Sequence, residues 1–108
     1  MSILRIFCLA FGILGISAGL AAMAADQTIR QKGRVFSTES ATLKVGDSLI
    51  FLNDDTIPHN IMSTSPGNEF NLGSVPPGTS VPVTFDKGGV VSVICAIHRR
   101  MKMTVTVN

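Results

Sequence analysis

From Thr28 onward this chain is cut into short runs by turn residues, and no stretch carries the apolar period of a helix. Thr28–Phe36 alternates moderately. Ala41–Val45 closes at Gly46-Asp47, and the mostly apolar Ser48–Asn53 stops at Asn53-Asp54-Asp55. His59–Ser63 follows Pro58. Pro66-Gly67-Asn68 and Pro76-Pro77-Gly78 mark loops. In Ser80–Phe85, the side chains of Val81, Val83 and Phe85 share one face. Val90–Ile94, rich in β-branched residues, follows the turn Lys87-Gly88-Gly89. In the last run Met103, Val105 and Val107 alternate with Lys102, Thr104 and Thr106. About seven short strands with turn signals between them predict an all-β chain, a sandwich or a barrel.

The N-terminus is of another kind. Arg5 supplies a positive start, Ile6–Leu20 is apolar with only small residues breaking it, and Ala22-Met23-Ala24 matches a small-residue cleavage site. Residues 1–24 are therefore expected to be a secretory signal peptide, cut after Ala24 or Ala25. The run falls short of the roughly 20 apolar residues that a membrane span needs, which argues against a retained anchor. Ile6-Phe7 stand where a lipoprotein signal wants small residues before Cys8. The remaining domain, 25–108, is small, of a size at which a metal or a disulfide often supplements the core. It carries eight basic and seven acidic residues and lacks Trp and Tyr. That balance excludes the electrostatic footprint of a nucleic-acid or membrane binder and the stacking platforms of a single-strand binder. A periplasmic monomer without stable membrane insertion is expected.

After cleavage Cys95 is the one remaining thiol. Exported proteins meet an oxidising compartment where cysteines are normally paired, so a lone one is a ligand, a reactive group or half of an intermolecular bridge. Its neighbours favour a ligand. The chain reads Cys95-Ala-Ile-His98-Arg-Arg-Met101, and its other histidine, His59, lies 36 residues before Cys95. One thiolate, two imidazoles and a thioether are the donors of a trigonal type 1 copper site with a weak axial sulfur. Cys95 ends one strand run and Lys102 begins the next, so three of the four donors lie on one short loop held at both ends. Pro58 fixes the backbone at the start of the His59 segment.

With these residues in view, the chain resembles the cupredoxins, the blue copper proteins, in their amicyanin and plastocyanin branch, including small methylamine-utilisation-associated members. Pro58-His59-Asn60 looks like that branch's first-ligand motif, and Cys95-x-x-His98-x-x-Met101 has the short spacing of the amicyanin loop. The resemblance runs from about Ala41 to Asn108. It implies a Greek-key β-sandwich of seven to eight strands, one copper ion, and single-electron transfer. It also implies metal ligation by His59, Cys95, His98 and axial Met101, with His98 as the electron port. Met103 satisfies the longer plastocyanin spacing, but it shares a face with Val105 and Val107, which suits packing. Met62 is taken as packing too. Asn60 is expected to tie the His59 strand to the Cys95 strand by side-chain hydrogen bonds.

Arg99 and Arg100 depart from the family, whose amicyanin-type loops are apolar here. With Lys102 they form a basic rim around His98, either solvated or suited to steering an acidic redox partner. Asn68–Asn71 is a further candidate for lining the same end. The function expected is electron transfer, with an exported copper-binding or copper-delivery protein as the alternative. Catalysis is not expected: Cys95 and His98 share a tight loop, with no separate base-positioning element, and no histidine remains for a second metal centre.

Overall fold

The computed structural model describes residues 25–108, and the signal-peptide expectation falls outside the described residues. Nine strands follow one another: β1 Asp26–Lys32, β2 Val35–Phe36, β3 Ser40–Leu43, β4 Ser48–Asn53, β5 Ile61–Ser63, β6 Phe70–Asn71, β7 Ser80–Thr84, β8 Gly89–Cys95 and β9 Lys102–Val107. No helix occurs among the described residues. The strands form two mixed sheets, ordered β2-β1-β4-β7 and β3-β9-β8-β5-β6. The chain crosses between the sheets after β2, β3, β4, β6 and β7. This is the all-β sandwich expected from the turn spacing and from the cupredoxin resemblance.

Alternation decides which side chains meet between the sheets. Leu49, Phe51 and Asn53 of β4 point inward, as do Val91, Val93 and Cys95 of β8 and Met103, Val105 and Val107 of β9. Phe51 is fully buried. Its ring centroid stands 6.3 Å from Phe36 and 6.2 Å from Phe70, and Phe70 is 6.0 Å from Phe85, so aromatic contacts cross the core. Pro82 sits in β7, opposite Ile50, at the edge of its sheet, where a missing N–H leaves no ladder bond unmade on the open side.

Two elements differ from the sequence expectation. Thr28–Phe36 is not one strand but two, β1 and β2, turned by Gly33 and Arg34. Both adopt positive φ, 63° and 60°, as a two-residue type I′ hairpin requires. Left-handed backbone costs a non-glycine residue about 1–2 kcal/mol, and here the Arg34 N–H donates to Asp55 Oδ2 at 3.1 Å in partial compensation. The second difference is β6, two residues that pair with β5 and are too short to announce themselves by alternation.

At the end of the sandwich where β3 turns into β4, Asp47 closes the turn. Its carboxylate accepts the Lys44 N–H at 2.9 Å and the Ala25 N–H at 3.0 Å. These bonds, the Lys44 one foremost, hold its pKa below the usual 3.8. The unfolded chain therefore takes up a proton more readily, and the contribution is complete above pH 3.8 and lost as pH falls through the lower native value. Asp47→Asn is expected to lower the urea midpoint near neutral pH, with the gap to wild type closing in acid below 3.8. Phe51→Ala should cost about 3–5 kcal/mol in the same unfolding assay, because it opens a cavity in a fully packed site.

Candidate metal centre

Strand register brings the candidate ligands together. Ile61 of β5 pairs with Cys95 of β8, so the residues just before Ile61 lie beside the end of β8. His59 is held one step earlier by a two-way backbone bridge. Its N–H donates to Val75 O at 3.1 Å, and the Val75 N–H donates to His59 O at 2.7 Å. The loop from Asp54 to Pro58 is shaped by the buried Asn53. Its Nδ2 donates to Ile57 O at 2.9 Å and to Val75 O at 2.8 Å, and its Oδ1 accepts the Asp55 N–H at 3.0 Å. One amide thus uses both its donors and its acceptor to set the approach to His59.

The loop 96–101 is pinned across its own neck: the Cys95 N–H donates to Met101 O at 3.0 Å, and the Met101 N–H to His98 O at 2.9 Å. These bonds fold the loop so that His98 turns back over Cys95. His59 and Cys95 are fully buried, and His98 is half-buried. Cys95 Sγ lies 3.7 Å from His59 Nδ1 and 3.8 Å from His98 Nδ1, and the three donor atoms fall within 4.8 Å of one another. The three donors are close enough together to share one metal ion, and their mixture of thiolate and imidazole suits copper. Met101 and Met103 are both buried. Met103 pairs with Val93, two residues below Cys95, whereas Met101 lies on the loop itself.

Two partners of this cluster come from the tertiary structure. The Asn60 N–H donates to Cys95 Sγ at 3.4 Å, and Asn60 O accepts the Ala96 N–H at 2.8 Å. The tie between the two strands runs through the Asn60 backbone, and its side-chain Oδ1 is buried without a hydrogen-bond partner. The second partner is Asp55, which stands in the sequence within the strand-end turn Asn53-Asp54-Asp55. His59 Nε2 lies 2.9 Å from Asp55 Oδ2. That bond, followed by the Arg34 N–H, holds the Asp55 carboxyl down to about 2. An ionised carboxylate only accepts, so Nε2 carries the hydrogen of that bond, and Nδ1 is the ring nitrogen on the Cys95 side. An acid four residues before the histidine was the available signal. It was ambiguous, because the neighbouring Asp54 turns outward to Arg30, 3.6 Å away.

Arg99, Arg100 and Lys102 are exposed. Arg99 and Arg100 line a groove with His98, while Lys102 faces another with Glu39, Ser92 and Thr104. Asn68 and Glu69 do not join the ligand end. Asn68 Nδ2 donates to Lys87 O at 2.8 Å, near the start of β8, at the end of the strand away from Cys95.

Residues 23–108 match the family model of copper-binding proteins of the plastocyanin/azurin family. The chain belongs to that family. No curated protein sequence matches it, but solved structures do. A purple cupredoxin from Nitrosopumilus maritimus superposes with a TM-score of 0.68 at 25% identity, covering 77% of this chain and 100% of that one. A methionine-to-alanine variant of amicyanin with Cu(I) gives 0.69 at 21%, covering 77% and 82%. A copper-containing nitrite reductase from Thermus scotoductus gives 0.71 at 23%, and there the match covers 78% of this chain but 22% of the enzyme. The protein is a cupredoxin of the amicyanin and plastocyanin type, and family and His–Cys–His cluster together support one copper ion. Among the described residues no helix is long and apolar enough to cross a membrane.

Asp55→Asn is expected to weaken Cu(II) binding by about 10–100-fold, the range for losing the carboxylate behind a ligating histidine. A competition titration with a chromophoric chelator would measure it, and an unaltered affinity would show that the backbone bridge to Val75 alone orients His59.

Proposed function

We propose that this cupredoxin is an exported, periplasmic electron carrier whose single copper is held by His59 Nδ1, Cys95 Sγ and His98 Nδ1, with the Met101 thioether as weak axial ligand. The observation that carries the proposal is the convergence of one buried thiol and two imidazole nitrogens, 3.7 and 3.8 Å from the sulfur, on a scaffold that fixes each separately. Bound there, copper supplies a one-electron couple between Cu(I) and Cu(II). The chain's own part is to hold the donors still. Asp55 fixes the tautomer and tilt of His59. The Asn60 N–H donates to the Cys95 sulfur and stabilises the thiolate. Burial of His59 and Cys95 keeps water from that side, and His98, the half-buried ligand, offers the route to the surface. Met101 is preferred to Met103 because it lies on the ligand loop, while Met103 pairs within the sheet one layer below. Two grooves reach the candidate ligands, one lined by His98 and the other by Met101.

The test is spectroscopic. Protein loaded with Cu(II) should show an intense thiolate-to-copper band and lose it reversibly on one-electron reduction. A colourless protein that binds only Cu(I) and yields it to a chelating acceptor would support copper delivery instead. Cys95→Ser is expected to abolish the band while retaining the strand signature in circular dichroism. Met101→Leu should keep a coloured site and shift its reduction potential, with Met103→Leu leaving the potential near wild type; the reverse pattern would reassign the axial ligand.

A further inference from the structure

A docking face emerges where two distant parts of the chain meet. The tip of the β1–β2 hairpin packs beside the ligand loop, and Gly33, Arg34, Val35, His98, Arg99 and Arg100 line one groove. Val35 is 59% exposed, and Ile97 on the ligand loop is 54% exposed, two of the four large apolar side chains left in solvent among the described residues. In the groove Arg34, Arg99 and Arg100 stand with Val35, and none of the three makes an ion pair among the described residues, whereas Arg30 is paired with Asp54. We infer that this composite surface, hairpin tip plus ligand loop, is the docking face for an acidic redox protein. The inference rests on the electron-carrier proposal and adds to it the kind of partner and the residues that select it.

The chemistry favours that occupant. An exposed apolar side chain set among arginines is the composition of a protein-binding surface. Each guanidinium presents a planar fork of donors that matches a carboxylate. Glu39 lines the adjoining grooves with Arg100 and Lys102, whereas the lining of the groove that holds Arg34 and Arg99 includes no acid. A second copy of the chain would bring the same arginines and repel them. The chain's net charge of +2 is too small for nucleic acid. The face also touches the candidate copper ligands in two ways. His98 forms part of the groove, and the Arg34 N–H shares Asp55 Oδ2 with His59 Nε2. A partner's weight on the hairpin tip would thus fall on the carboxylate that aims His59.

Two measurements test this. In the first, Cu(I)-loaded protein reduces a basic ferric cytochrome c or the same cytochrome with its lysines succinylated. With the succinylated form the rate should fall on the order of tenfold as salt is raised, and it should flatten in the R34Q/R99Q/R100Q variant. K44Q/K87Q, which removes basic residues remote from the groove, should keep the wild-type salt dependence. In the second, the redox-inert anion hexacyanochromate(III) is added to the Cu(I)-loaded, isotope-labelled protein. Amide lines of Arg34, Val35, Ile97 and Arg99 should broaden first. Broadening centred elsewhere, or a salt slope the triple variant leaves unaltered, would overturn the proposal. So would concentration-dependent shifts at these amides without added anion, which would assign the face to a second copy. If neither cytochrome is reduced, the carrier proposal fails by itself, and the broadening map still decides the anion-binding face.

Discussion

The pairing of Ile61 with Cys95 is the constraint on which the site depends. It sets the registry of β5 against β8 and so fixes where the chain before Ile61 lies. His59 and Asn60 arrive beside the sulfur because of it, one with an imidazole and the other with a backbone N–H. Strand alternation makes the register stiff. A slip of one residue would turn Ile61 and Ser63 out to solvent and Met62 into the core. The hydrophobic core thus enforces the geometry of the polar cluster, and the ligands need not organise themselves.

Around that register the polar groups are arranged in series. Asn53 shapes the loop, Asp55 rides on the Asn53 side chain through its N–H, and His59 is held by Asp55. Each link is satisfied by a named partner, which is what keeps buried polar groups from costing stability. The series continues to the surface through the Arg34 N–H. The left-handed backbone of Arg34 acquires a purpose there, since the tight turn aims its N–H at the carboxylate. Ligand orientation and the shape of the exposed face are consequently parts of one network.

Much of the scaffold was legible because β-structure writes its burial with a period of two. Met103, Val105 and Val107 announced the last strand, and Val81, Val83 and Phe85 the face of another. The hairpin at Gly33-Arg34 was not legible, because arginine is not a residue that signals positive φ. β6 was not legible because two residues carry no period. At the site, the donor types and the spacing from Cys95 to Met101 pointed to copper before any fold was known. Asn60 is legible as a tie between the two strands, but its buried Oδ1 has no partner and the ties run through its main chain, a distinction that side-chain identity does not encode. Asp55 is not legible in the sequence, because a loop has no periodicity to separate it from Asp54.

What the sequence by itself determined was the class of strands, the sandwich they imply, and the inventory of soft donors on a short loop, since these are local properties of composition and spacing. Tertiary structure alone decided which acid stands behind His59, which backbone group faces the sulfur, and that the β1–β2 hairpin lies against the ligand loop. Those facts depend on contacts between segments far apart in the chain. Strand register and turn geometry bring them together, and no single segment carries the information to specify them.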